Sequence, residues 1–289
     1  MGTSTISSVG LPTITYLSMD PLSSTVGASQ VLPYVERFAN RGVDVELLTF
    51  EHVVDQAVRE RLAGVGVAWR PQRYGRHGPA GGLGRVLRAA RAVRGSSVVH
   101  ARSDMAAASV MLAGLDCWVW DVRSLWADQK VATGVMRDGS PQERLMRWVE
   151  RQAAYRSTAV ITLTGSAIDE LDRRYGGVVS TKARVVTTCT DLDRFTLSVL
   201  PPTPPRVLLA GTLNRYYDVQ SMLDLVVEMR RRRPVQFIVA SPGDTDWEDE
   251  LAGMDALRVS ATRDEMAKLV SSCHVGLSVC RDDAGPSLQ

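Results

Sequence analysis

Short apolar runs alternate along this 289-residue chain with segments in which apolar residues recur every three or four positions. The first pattern is typical of buried strands and the second of amphipathic helices, and their alternation indicates βαβ units and a parallel sheet. The predicted strands of the first part begin at Ile14 (ITYLS), Val43 (VDVELLTF), Val65 (VGVAWR), Ser97 (SVVHA), Cys117 (CWVWDV), Thr158 (TAVITL) and Ala183 (ARVVTT).

Helices are predicted between these strands. The first follows the loop that ends at Gly27 and has apolar residues at 31, 32, 35, 38 and 39, which is a helical spacing. The Gly-rich segment 75–84 (GRHGPAGGLG) predicts a loop. The other helices are predicted near 53–62, 83–93, 105–114, 141–155 and 166–175.

A Pro-rich segment, 198–205 (SVLPPTPP), separates this part from a second α/β pattern. Proline stiffens an extended chain and cannot join a helix interior or a central strand. We therefore predict an α/β protein with a Rossmann-like domain over 1–197, a linker over 198–205 and a second domain over 206–289. The second part holds about 84 residues, fewer than a Rossmann-like domain normally has, so we expect it to be incomplete. A naturally small second lobe is the alternative.

The composition narrows the function classes. A formal net charge of +2 with an ordinary charged fraction predicts no nucleic-acid partner and no disordered chain. Four scattered histidines and four cysteines without CxxC spacing predict no metal site and buried free thiols. Since no leader pattern and no apolar run of roughly 18 residues is present, a cytoplasmic protein is expected.

Several motifs occur in an order that resembles the GT-B glycosyltransferases of family 4. They are the segment 19–51 (MDPLSSTVGASQ to LLTFE), VHARSD from Val99, DVRSLWAD from Asp121, the run from Trp148 (WVERQAAYRSTAVITLTGSAIDEL), CTDLDRF from Cys189 and LLAGTLNRYYDVQSMLDL from Leu208. The resemblance covers nearly the whole chain. It implies two Rossmann-like domains and transfer of a sugar from a nucleotide-diphosphate sugar to the hydroxyl of a glycan, a lipid-linked acceptor or a small molecule.

The resemblance also implies a retaining reaction without a metal or other cofactor. In such enzymes helix N-termini, glycine amides and basic side chains neutralise the leaving diphosphate. Gly27, at the start of the first helix, is the candidate for close backbone contact with diphosphate or acceptor. A plain helix-entry turn is the alternative for this glycine.

Two strand ends of the first domain carry the candidate catalytic side chains, Arg102 and Asp121. Arg102 cannot act as a base at neutral pH, but it can bind acceptor or phosphate. His100 and Arg123 are candidate substrate-binding residues beside them. The alternatives are a packed core histidine for His100 and a buried structural ion pair for Asp121 and Arg123.

In the second domain Gly211 and Arg215, which follow its first strand, and Gly243, which follows the next strand, are candidates to bind the donor substrate. A solvated loop arginine is the alternative for Arg215, and an ordinary turn is the alternative for Gly243. The family usually carries Lys-Gly after the first strand of this domain, whereas this chain has the segment 216–218 (YYD), with Arg215 as the nearest cation. The family's E-x7-E segment would come just after 282–289 (DDAGPSLQ), where this sequence ends.

Four arginines recur at every third position of the predicted helix 83–94, at 85, 88, 91 and 94. This pattern predicts a basic amphipathic helix that can make peripheral contact with anionic lipid at the inner face of the membrane. A solvated helix face is the alternative.

Three functions are compatible with the sequence. The first is a hexosyl-type glycosyltransferase, and the second is a non-catalytic fragment that binds nucleotide or acceptor. The third is a GT-B sugar epimerase, whose carboxylates the sequence does not identify. A dehydrogenase is not favoured, because no predicted strand is followed by G-x-G-x-x-G.

Overall fold

The computed structural model describes residues 12–196, 199, 203–214, 217–241, 243 and 245–281. The chain forms two compact units, the first up to Thr188 and the second from Cys189, with the short segment 132–135 grouped with the second. Part of the predicted linker, as well as Arg215 and the final segment 282–289, lies outside the described residues.

The first unit is built on a seven-stranded sheet in the order β3-β2-β1-β4-β5-β6-β7. All its strand pairs are parallel, which confirms the predicted fold class. The strands are β1 (Ile14–Ser18), β2 (Val45–Glu51), β3 (Ala68–Arg73), β4 (Val98–Arg102), β5 (Trp118–Val122), β6 (Ala159–Thr162) and β7 (Ala183–Val185).

Helices cover both faces of this sheet. One apolar core packs residues of α1 and α2 against β1 and β2, and a second packs α3, α4, α6 and α7 against the other face. The helices are α1 (Leu32–Ala39), α2 (Gln56–Gly64), α3 (Gly78–Ala92), α4 (Asp104–Ala113), α5 (Trp126–Ala132), α6 (Pro141–Arg156) and α7 (Gly165–Tyr175). A π-helical turn, Gly27–Val31, precedes α1.

The Gly-rich segment is a helix start rather than the predicted loop. α3 begins at Gly78, with a proline in its first turn, where the missing N–H has no helical partner to lose. A Cβ at Gly81 would lie 1.8 Å from the carbonyl oxygen of Arg76. Glycine is therefore needed at this position because the first turn of α3 packs directly on the backbone before it.

Two of the four arginines, Arg85 and Arg88, turn inward, so the four do not form the single basic face that their spacing predicts. Arg85 is only 7% exposed, its guanidinium lies 4.1 Å from the ring centroid of Tyr74, and its Nη1 donates to the carbonyl of Arg76 at 3.1 Å. Arg88 donates to the carbonyl of Tyr74 at 3.2 Å, while Leu83 is 62% exposed. A three-residue repeat drifts by about 60° per step around a helix of 3.6 residues per turn, which turns the arginines to different sides.

The second unit contains a four-stranded parallel sheet in the order β10-β9-β8-β11. Its strands are β8 (Arg206–Ala210), β9 (Gln236–Ala240), β10 (Leu257–Val259) and β11 (Val275–Leu277). Its helices are α8 (Val219–Arg232), α9 (Glu248–Gly253) and α10 (Arg263–Ser271). Apolar residues of α8 pack on β8 and β9 to form its main core.

Two further findings concern the cysteines and the helices. Cys117, Cys189 and Cys280 are exposed, so the expectation of buried cysteines is wrong for these three. Within the described ranges, none of the helices combines the length and apolar character that crossing a bilayer requires.

Candidate functional site

The carboxyl edge of the first sheet gathers polar side chains where β1, β4 and β5 end. The chain leaves β1 towards β2 on one side and reaches β4 on the other, so the strand order reverses between β1 and β4. Open α/β sheets bind ligands in the crevice at such a switch point. The residues that follow or end these strands include Asp20, Arg102 and Asp121.

Arg102 ends β4 and is only 5% exposed. Its Nη1 donates to Asp20 Oδ2 at 3.0 Å, and its Nη2 donates to Gln30 Oε1 at 2.6 Å. A buried guanidinium requires such partners, because burial of an unpaired charge is strongly unfavourable. One of the two partners is a carboxylate and the other is a neutral amide.

Asp121 and His100 form a buried pair, with 3.1 Å between Asp121 Oδ2 and His100 Nε2. Burial opposes ionisation of Asp121. The hydrogen bond and charge of His100, together with the charges of Arg123 and Arg102, outweigh that effect and lower the pKa of Asp121. The ionised carboxylate assigns the donor role to His100 Nε2. The imidazole also stacks on the Tyr16 ring at 4.6 Å, so it is both a packed residue and a hydrogen-bond donor.

Arg123 lies at the open side of this cluster. Its Nη2 donates to Gln30 Oε1 at 3.1 Å and to Thr188 Oγ1 at 3.3 Å, and its Nη1 lies 3.4 Å from Asp121 Oδ1. Its Nε is buried and has no hydrogen-bond partner among the described residues. Its charge is only weakly matched by Asp121, and 18% of its side chain is exposed, compared with 5% for Arg102.

Gln30 connects the two arginines, and no pattern in the sequence selects it. It lies in the π-helical turn Gly27–Val31, and its Oε1 accepts hydrogen bonds from both Arg102 and Arg123. Single π-helical turns are rare and are frequent at functional sites. Periodicity cannot reveal such a turn, because it looks like ordinary helix in a sequence. We refer to Asp20, Gln30, Arg102, Asp121 and Arg123 as the strand-edge cluster.

The structure gives Gly27 a packing role. A Cβ at this position would lie 2.0 Å from the carbonyl oxygen of Pro21. The amide N–H of Gly27 donates to Ser24 Oγ at 3.0 Å, so it already has a partner inside the loop. The geometry thus supports the helix-entry alternative for this glycine.

Ser103 connects Arg102 to α4 with an unusual backbone, φ 77° and ψ 172°. This region is essentially restricted to glycine, and other residues adopt it at a cost of about 1–3 kcal/mol where their surroundings impose it. The amide of Ser103 donates to the carbonyl of Asp121 at 3.0 Å. The strained residue therefore ties the ends of β4 and β5 together directly beside the cluster.

In the second unit, Gly211 and Gly243 follow the carboxyl ends of β8 and β9. Gly211 has φ +132°, lines a small cavity with Tyr217 and Ser278, and donates its amide to the carbonyl of Ala240 at 2.9 Å. Gly243 is exposed with φ +71°. The third residue predicted here, Arg215, lies outside the described residues.

Comparisons with known proteins identify the family of this sequence. Residues 27–189 match the family model of the glycosyl transferase 4-like domain. No curated protein matches the sequence significantly.

Similar solved structures show the same fold. Sucrose-phosphate synthase from Thermosynechococcus elongatus aligns with a TM-score of 0.66 at 17% identity, covering 92% of this chain and 75% of that one. HepE from Anabaena, solved in complex with UDP and glucose, aligns with a TM-score of 0.63 at 12% identity, covering 93% and 74%. A UDP-N-acetylglucosamine 2-epimerase aligns with 0.57 at 12% identity, covering 92% and 72%. These likenesses confirm the predicted GT-B fold, which transferases and an epimerase share.

Proposed function

This chain belongs to the glycosyl transferase 4-like family, and from that premise we propose that it moves a hexose from a nucleotide-diphosphate sugar to an acceptor hydroxyl. The observation that supports this most is the strand-edge cluster. Arg102 and Arg123 both donate hydrogen bonds to the neutral amide oxygen of Gln30 at the switch point of the sheet. All three residues lie inside the segment that matches the family. Preorganised cations in a partly buried crevice stabilise negative charge as it develops.

Within this proposal the two arginines have different roles. Arg102 is held by two partners and supplies a fixed positive field. Arg123 is the more exposed of the two, with 18% of its side chain accessible against 5% for Arg102, so it is the residue that donates directly to an oxygen of acceptor or phosphate.

Asp121 orients the site rather than removing a proton. Its lowered pKa keeps it ionised and makes it a weak base at neutral pH. It is held by His100 and in turn aligns Arg123. A carboxylate at this position also accepts a hydrogen bond from an acceptor hydroxyl.

The donor would bind to the second unit. Gly211 and Gly243 place backbone at the carboxyl ends of two neighbouring strands with conformations that suit glycine, and Arg215 would neutralise the diphosphate. HepE was solved with UDP and glucose, which supports a nucleotide sugar as the donor here. We further propose that the reaction retains stereochemistry and needs neither metal nor cofactor. A glycan or lipid-linked acceptor and a cytoplasmic location complete the proposal.

Peripheral contact with an anionic membrane through 83–94 stays a prediction with a revised surface. Since Arg85 and Arg88 face inward, the contact would use the exposed residues Leu83, Leu87 and Arg91, with Arg94 next to them.

The test is a nucleoside-diphosphate release assay with a panel of nucleotide sugars and hydroxyl acceptors. We expect release that depends on the acceptor and that falls at least tenfold in Arg123→Ala. Conversion of a nucleotide sugar without any acceptor would favour an epimerase instead. Saturable nucleotide binding by calorimetry with no turnover for any pair would favour the non-catalytic alternative.

A further inference from the structure

A cavity of about 640 Å³ lies between α5, α6 and α7 of the first unit, and it shares no residue with the strand-edge cluster. We call it the arginine groove. Five arginines line it together with one tryptophan, namely Arg144, Arg147, Trp148, Arg151, Arg173 and Arg174.

The floor of the groove is a closed network of matched charges. Arg147 donates to both oxygens of Asp128 at 2.7 and 2.9 Å, and Arg174 donates to the same two oxygens at 2.8 and 3.0 Å. Burial opposes ionisation of Asp128, but the hydrogen bonds from both arginines outweigh it and lower the pKa of the carboxyl. Glu150 and Glu170 also pair with Arg174. These contacts fix the floor and leave it little charge to offer a ligand.

The rim differs from the floor. The rim is formed by one face of α6. Trp148 follows Arg144 by four positions and precedes Arg151 by three, a spacing that places all three side chains on the same side of a helix. Both arginines are exposed, and neither forms an ion pair with a described carboxylate; the guanidinium of Arg151 lies 5.8 Å from the ring centroid of Tyr155. The indole between them is 56% exposed. The Cα atoms of the two arginines are about 10.5 Å apart at 1.5 Å per residue, so both long side chains can reach one anion above the indole.

We propose that the arginine groove binds a phosphate ester, with the phosphate on Arg144 and Arg151 and the alcohol part of the ester on Trp148. Guanidinium groups bind phosphate oxygens in pairs of hydrogen bonds, and an exposed indole offers an apolar face to a sugar ring or glycerol group. This site is additional to the proposed transfer site. Its ligand is either a free sugar phosphate or the headgroup of a phospholipid, which share this chemistry.

The site can be observed directly by fluorine NMR of protein labelled with 5-fluorotryptophan. The chain has six tryptophans, and Trp148→Phe identifies the signal of Trp148. We expect glucose 1-phosphate to move this signal in a saturable manner, and methyl glucoside at the same concentration to leave it in place. Inorganic phosphate should bind more weakly than the ester because it has no group to place on the indole.

Two matched double variants test the arginines. Arg144→Ala with Arg151→Ala should weaken binding at least tenfold, whereas Arg41→Ala with Arg73→Ala removes the same charge from exposed positions outside the groove and should change it less than twofold. Equal weakening in both double variants would mean that net charge alone attracts the ligand, and would overturn the proposal.

Vesicle sedimentation separates the two sources of the ester. Binding to phosphatidylglycerol but not phosphatidylcholine vesicles, lost in the Arg144/Arg151 double variant, would identify a headgroup, and a saturable shift with glucose 1-phosphate would identify a free ligand. The proposal fails if glucose 1-phosphate does not shift the Trp148 signal and vesicle binding does not depend on Arg144 and Arg151. Arg102→Ala provides the link to catalysis: it should slow transfer by about 10²–10³ and leave the Trp148 shift unchanged, so each proposal can fail without the other.

Discussion

The first unit contains two groups of arginines whose partners differ. On the floor of the arginine groove, Arg147 and Arg174 each hold the Asp128 carboxylate by two hydrogen bonds. In the strand-edge cluster, Arg102 and Arg123 share the neutral amide of Gln30, and each donates only one hydrogen bond to a carboxylate, that of Asp20 for Arg102 and that of Asp121 for Arg123. An arginine that is fully matched by a carboxylate stabilises the fold. An arginine held in part by a neutral amide is positioned while its charge is less fully matched by carboxylates.

The largest expected effect comes from Arg102→Ala. If the strand-edge arginines serve the reaction, transfer should slow by about 10²–10³, because the variant removes the fixed positive charge of the site and also the group that holds Gln30 and Asp20. Initial rates of nucleoside-diphosphate release measure this effect. Arg41→Ala, at an exposed position away from the cluster, is the control and should retain the wild-type rate. Unchanged transfer in Arg102→Ala would assign the strand-edge arginines to structure alone.

The next effect is the pH dependence of the free energy of unfolding, and it comes from a buried carboxyl group that has no arginine partner among the described residues. Asp104 is buried, its Oδ1 accepts from Trp120 Nε1 at 3.2 Å, and it forms no ion pair within the described part of the chain. Burial, with the nearby charge of Glu150, raises its pKa to about 7. The folded state thus keeps a proton that the unfolded chain loses near pH 4, so the free energy of unfolding falls as pH rises from about 4 to about 7.

Asp104→Asn should remove this dependence. The asparagine oxygen still accepts from Trp120, but the side chain no longer ionises. Urea unfolding at pH 5 and pH 8 should show a drop of a few kcal/mol in wild type and a clearly smaller drop in the variant. Asp121→Asn is the comparison, because the pKa of Asp121 is lowered and its contribution is lost only as pH falls through the acidic range.

Asp128→Ala tests the matched arginines. Both guanidinium groups would lose a shared carboxylate in a partly buried place, which we expect to lower the free energy of unfolding by about 2–3 kcal/mol. Urea unfolding measures this loss, and transfer measured well below the melting temperature should stay within twofold of wild type. A large loss of transfer in a folded Asp128→Ala protein would contradict the division between the two groups.

Gln30→Leu is expected to have a smaller effect on transfer. It preserves the size of the side chain and removes the oxygen that aligns the two arginines, which should lower the rate about tenfold, while Gln30→Glu adds a competing charge at the same place. The ratio of kcat to KM with the acceptor varied is the measurement. Equal activity in all three proteins would show that the shared amide does not position the arginines.

The smallest effect concerns backbone strain at Ser103. Ser103→Gly should raise the free energy of unfolding by about 1 kcal/mol, since glycine adopts φ 77° without steric cost. Ala108→Gly in the middle of α4 is the opposite control and should lower it by about 0.5–1 kcal/mol, because glycine is the more flexible residue in the unfolded chain. If Ser103→Gly destabilises the protein, the strain at this residue is not real.

The strands were predictable because buried parallel strands appear as short apolar runs between breakers. β1 begins at Ile14, as predicted, and β4 begins at Val98, one residue after the predicted start at Ser97. The start of α3 was missed because Gly81 looks like a flexible residue, whereas it permits close packing on Arg76. The prediction that Arg85 is exposed together with the other arginines was wrong. Residues three positions apart do not stay on one face of a helix that has 3.6 residues per turn.

The candidate site was predictable only in part. Arg102, Asp121 and Arg123 could be selected because they end or follow strands that meet at one edge of a sheet. Gln30 could not, since its importance comes from two contacts with residues that are distant in sequence. The role of Arg215 stays a prediction, because this residue lies outside the described part of the chain.

The π-helical turn that carries Gln30 makes the site sensitive to chain length. A π-helical turn spaces its hydrogen bonds one residue wider than an α-helix does. Deleting a single residue within 28–31 would let ordinary helix replace the turn, and each residue on one side of the deletion would rotate by about 100° around the helix axis. The helix would survive while Gln30 turned away from both arginines. Related chains that differ by one residue here can therefore keep the fold and lose the alignment of this site.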